Sequence, residues 1–95
     1  MTLNYMLFEV WQDIEGGGQS AGVVHPQNDK VRKCDPAPMT CVHSFYAYSD
    51  RDFWRQFYTW DARDEWLPDA SLPEQFYSVG EVEEQQRYLE IRKVD

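Results

Sequence analysis

Residues 3–12, LNYMLFEVWQ, carry apolar side chains on both parities. Met6, Phe8 and Val10 alternate on one side. Leu3, Tyr5, Leu7 and Trp11 alternate on the other, interrupted by Glu9. Strand side chains point alternately to two faces, so a segment apolar on both parities reads as a strand that is either central or covered on both sides.

Working outward, Gly16-Gly17-Gly18 breaks this strand and supplies the positive φ that a hairpin loop needs. A glycine triplet cradles phosphate only where a helix N-terminus follows. Here Ser20-Ala21-Gly22-Val23-Val24 follows, which reads as a return strand over 20–25. Residues 26–38 hold Pro26, Pro36, Pro38 and the basic cluster Lys30, Arg32 and Lys33. Pro26 suits a first helical position, so the expectation is a connection with at most one helical turn. Residues 39–48, MTCVHSFYAY, form a third strand. Strict alternation puts Met39, Cys41, His43, Phe45 and Ala47 on one face. Val42, Tyr46 and Tyr48 then fall on the other.

Ser49-Asp50-Arg51-Asp52 resembles a capping box, with acids at the positive end of the helix dipole. Phe53, Trp54, Phe57, Tyr58 and Trp60 recur at helical spacing, which predicts an aromatic-striped helix over 50–62. Pro68, Pro73 and several acids mark a surface loop over 64–77, anchored by Trp66, Leu72 and Phe76. Ser78-Val79-Gly80-Glu81 is a second capping box. Good helix formers follow to Arg92, with Glu83 and Arg87 in the favourable order, so a helix is expected over 79–92. The competing reading is a closing strand over 88–94.

The predicted fold is a two-layer α+β domain spanning residues 1–95. A three-stranded antiparallel sheet (3–12, 20–25, 39–48) carries two helices (50–62, 79–92) on one face. Two helices cover one face only, and the first and third strands carry apolar residues for the other, the third through Val42, Tyr46 and Tyr48. The uncovered face is expected to be an aromatic surface that meets another protein or a second copy as a homodimer.

Composition narrows the function. Net charge is −8, and between Asp61 and Glu84 eight acids face the single Arg63, a local balance of −7. Such a chain repels phosphate backbones, which disfavours nucleic acid, and attracts basic partners. No stretch is apolar enough to span a membrane, and the first residues lack the basic and apolar regions of a signal peptide. The expected compartment is the cytoplasm. No cofactor is indicated.

The candidate partner-binding residues are Tyr46, Tyr48, Trp60 and Trp66, with the acids Asp61, Asp64 and Glu65. Tyrosine and tryptophan suit surfaces with one end buried and the other wet. The same acids suit acid–base work only if buried, which a polar loop does not favour. The weak metal candidates are His25, Cys34, Cys41 and His43, whose spacing H-x8-C-x6-C-x-H departs from the closely paired ligands of zinc sites. Cys41 and His43 on one strand face would also allow a thiolate–imidazole pair, with no third residue to orient it. Two classes follow: an acidic protein-interaction module (adaptor, inhibitor or immunity-type protein), or a small enzyme or ligand-binding domain with a Cys/His-lined pocket between sheet and helices.

Overall fold

The computed structural model describes residues 2–13, 15, 18–33, 39–61 and 74–94. Its elements in chain order are β1 (Met6–Asp13), β2 (Gln19–Val23), α1 (Pro26–Lys33), β3 (Met39–Ala47), α2 (Asp50–Trp60) and α3 (Val79–Val94). The sheet is antiparallel with order β2-β1-β3. The strand that is apolar on both parities is the central one, the first of its two expected placements. Asp13 N–H donates to Gly18 O at 2.8 Å and closes the β1–β2 hairpin. Gly16 and Gly17 lie outside the described residues.

The core forms on the even face of β1. Met6, Phe8 and Val10 are buried there with Ala47 of β3 and Phe53 and Phe57 of α2. Phe8 stacks on Phe53 with ring centroids 4.5 Å apart and on Phe45 at 6.0 Å. Each buried phenylalanine contributes about 1.5–3 kcal/mol of transfer free energy. Removal of Phe8 would therefore open the centre of this layer.

α2 begins where its sequence signature places it. Ser49 is fully buried and extended (φ −162°, ψ 165°), and its Oγ accepts from Asp52 N–H at 3.1 Å. Asp52 returns the bond by accepting from Tyr48 N–H at 3.3 Å. Ser49 Oγ also donates to Glu74 Oε1 at 2.5 Å, and Tyr77 N–H donates to Tyr48 O at 3.2 Å. These bonds lay residues 74–77 beside the start of α2 and so aim α3 at the sheet.

α3 is a helix through Val94, so the strand reading of 88–94 does not hold. Its box is formed in full: Ser78 N–H donates to Glu81 Oε1 at 3.1 Å, and Glu81 N–H to Ser78 Oγ at 3.2 Å. Val82 and Tyr77 pack on the core. The next inward residue is Gln85, which is buried, whereas Gln86 is exposed. Gln85 sits where β2 parts from β1. Its Oε1 accepts from Leu7 N–H at 2.8 Å, and its Nε2 donates to Leu7 O at 2.9 Å and Val24 O at 3.0 Å. Val24 N–H still donates directly to Leu7 O at 2.9 Å, and the Gln85 side chain bridges the remaining Leu7 N–H and Val24 O, satisfying backbone groups that burial would otherwise leave unpaired.

Two local features depart from the expectations above. α1 has eight residues, about two turns rather than one. It has no apolar stripe, since Val31 is 63% exposed, and it is held instead through Asp29 and Arg32. His25 starts it, with Nδ1 accepting from Gln27 N–H at 3.0 Å and its carbonyl from Asp29 N–H at 3.0 Å.

The second departure is a bulge in β3. His43 pairs with Val10 but Cys41 pairs with Trp11, which leaves Val42 as an extra residue. A bulge reverses the parity of what precedes it. His43, Phe45 and Ala47 therefore share the even face, while Cys41 and Met39 register with the odd residues Trp11 and Asp13. The single-face assignment of Met39 through Ala47 is corrected accordingly.

Candidate functional site

The odd face of β1 has two halves. On the half near Trp11, α1 and the end of α3 close over the sheet with an ion network. Glu9 accepts from Arg92 Nη2 at 2.7 Å, Arg92 Nη1 at 3.0 Å and Trp11 Nε1 at 3.0 Å. Asp29 accepts from Arg32 Nη2 at 2.6 Å, from Arg92 Nε at 3.1 Å and Nη2 at 3.2 Å, and from the Tyr88 hydroxyl. The Arg32 guanidinium lies 3.7 Å from the Trp11 ring centroid, a cation–π contact. Burial alone would push both carboxyl groups up. Hydrogen bonds and charge from Arg92 and Arg32, with Trp11 on Glu9 and Tyr88 on Asp29, outweigh it and hold both below the usual carboxylate range. Two acids and two arginines balance, so the network fastens elements together and leaves no free charge for chemistry.

The other half of the odd face carries aromatic rings. Leu7 pairs with Tyr46, and one register step on, the Tyr5 and Tyr48 rings meet edge to face at 5.9 Å. Tyr48 also stacks on Phe76 at 5.9 Å, and its hydroxyl accepts from Arg55 Nη2 at 2.8 Å. Tyr46, Tyr5 and Phe76 remain 54%, 47% and 44% exposed. Tyr5 and Phe76 both pack on Tyr48, and Tyr46 stands opposite Leu7 in the same register, so these exposed rings group at one end of the sheet.

The expected partner-binding set is divided by the fold. Tyr46 and Tyr48 lie on the odd side. Trp60 lies on the even side, stacked on His43 at 4.8 Å with ring planes 1° apart. Asp61 caps α2, its N–H donating to Phe57 O at 2.9 Å. Asp64, Glu65 and Trp66 lie outside the described residues. Tyr5 and Phe76 join the aromatic surface although neither was singled out for it. The signal available was the odd-parity run of β1, which assigns Tyr5 to the same face as Tyr46.

The metal and nucleophile candidates are likewise not assembled. The bulge sends Cys41 and His43 to opposite faces, His25 is engaged at the start of α1, and Cys34 lies outside the described residues. Among the described residues no group of three His, Cys, Asp or Glu side chains is placed to hold a metal ion. The Cys41 thiol is 3.6 Å from the backbone oxygen of His43, not its imidazole. Burial and the nearby Glu9 charge push that thiol up, so it stays protonated at neutral pH.

Two clefts flank the sheet. One of about 350 Å³ lies on the odd side, with Trp11, Arg32, Asn28 and the backbone of β2 in its walls. One of about 450 Å³ lies on the even side, between β1–β2 and α3. Neither has Cys41 or His43 in its lining. No described helix is long and apolar enough to cross a membrane. Scans against protein-family models, curated proteins and solved structures find no match to this chain.

Proposed function

We propose that the chain is a protein-interaction module whose contact surface is the aromatic half of the odd sheet face, Tyr5, Tyr46, Tyr48 and Phe76. The observation that carries this reading is the exposure of Tyr5 and Phe76, which both pack on Tyr48, together with exposed Tyr46 two residues before it in the chain. Each brings a large apolar area with few torsions to freeze, which suits an interface anchor. The occupant favoured is another protein rather than a second copy, because two chains of net charge −8 repel.

The test is capture by immobilised chain from a lysate of its own cell, with wild type beside a Tyr46→Ser/Phe76→Ser variant. Both positions are about half exposed, so the variant is expected to keep its circular dichroism, with a modest fall in Tm from the lost Phe76–Tyr48 stack. A partner retained by wild type and lost by the variant supports the reading. Equal capture by both defeats it. A dimer seen by light scattering and lost in the variant would make the occupant a second copy.

A small ligand-binding domain is the second reading, supported by the 450 Å³ cleft, which is within the usual size for small-molecule sites.

A further inference from the structure

The 450 Å³ cleft has an apolar floor and an acidic lining. Met6, Phe8 and Val24 make a buried apolar floor. The Gln85 carboxamide, also in the floor, is committed to Leu7 and Val24. A polar body in the cleft would thus find no free partner below it. Three acids, Asp50, Glu81 and Glu84, line the cleft beside His25, and no lysine or arginine does so among the described residues. Asp50 accepts from the Tyr77 hydroxyl at 2.5 Å, and Glu81 is bound into its capping box. Glu84 is exposed on the second turn of α3 and makes no ion pair among the described residues.

We infer that this cleft receives an arginine or lysine side chain of a partner polypeptide. The aliphatic stem lies on Met6, Phe8 and Val24, and the charged head reaches Glu84 with Asp50 and Glu81 beside it. Long cationic side chains divide between apolar surface and water in this way. The excess of 17 acids over nine bases draws a basic partner toward the surface from a distance. This site rests on the reading of the chain as an interaction module but not on its aromatic surface.

The experiment follows backbone amides by ¹H–¹⁵N NMR as acetyl-Gly-Arg-Gly-amide is added to the purified chain. Acetyl-Gly-citrulline-Gly-amide serves as the neutral isostere. The arginine peptide is expected to shift the amides of Val24, Tyr77, Glu84 and Gln85, and the citrulline peptide to leave them in place. Glu84→Gln should weaken the arginine peptide by about twofold to fivefold, the range of one partly exposed ion pair. Glu90→Gln, with the same charge change elsewhere on α3, should not. The Tyr46→Ser/Phe76→Ser variant should bind the peptide as wild type does, which separates failure of this site from failure of the aromatic surface. Equal losses from Glu84→Gln and Glu90→Gln would reduce the effect to net charge and overturn the inference. Tighter binding of n-hexylammonium at the same amides would do so too, by making the cleft a small-molecule site.

Discussion

Asp29 is the residue on which the position of α1 depends, and Asp29→Asn tests that directly. The substitution keeps the side-chain volume and removes one charge from a balanced set of two acids and two arginines. It also replaces an acceptor oxygen by a donor amide that faces guanidinium N–H groups. The Asp29 side chain is 5% exposed, while Arg32 and Arg92 are 13% and 26% exposed. Removing one partner of a fully buried ion pair costs about 3–5 kcal/mol. Water reaches both guanidinium groups in part, so the expected cost here is about 2 kcal/mol. For a domain of this size that lowers Tm by roughly 8–16 °C. Thermal and urea unfolding at pH 7 measure it, with Glu83→Gln as the control for an exposed acid, expected within about 0.5 kcal/mol of wild type. Because α1 has no apolar stripe, its amides should lose exchange protection before those of β1. The double variant with Arg92→Gln should cost at least about 0.5 kcal/mol less than the sum of the single changes. An Asp29→Asn effect no larger than that of Glu83→Gln, or strict additivity with Arg92→Gln, would refute the network as the fastening of α1.

Two further predictions concern the same framework. Glu9 and Asp29 both have folded-state values below the ordinary carboxylate range. Their contribution is therefore complete above an unfolded value of about 4 and is lost as pH falls through the lower folded values. Stability should drop on acidification below about pH 4–5, and the Glu9→Gln/Asp29→Asn pair should flatten that limb in urea titrations. Gln85→Ala leaves the direct Val24 N–H to Leu7 O bond in place but strips Leu7 N–H and Val24 O of their side-chain partner. It should cost about 1–3 kcal/mol, with faster exchange at the Leu7 amide as the specific sign.

The central position of β1, the two capped helix starts and the α+β class were legible in local pattern. A strand apolar on both parities is either central or covered on both sides, and β1 takes the first placement. A capping box acts within four residues, so no distant contact is needed to recognise it. The aromatic surface was half legible: Tyr46 and Tyr48 followed from strand parity, but Phe76 required knowing that residues 74–77 return beside Ser49. Trp60 shared their composition and not their side of the sheet, since α2 carries it over the even face to His43.

What the amino-acid order determined alone was therefore the set of elements whose signals are short-range: alternation, capping and helical spacing. The tertiary structure decided three things that such signals do not contain. α1 forms from polar residues because Arg92, 63 positions after Asp29, supplies an opposite charge. Gln85 faces inward because β1 and β2 part at that point and need a donor and acceptor between them. The bulge at Val42 turns Cys41 from His43 because pairing with β1, not alternation within β3, sets which face each residue takes.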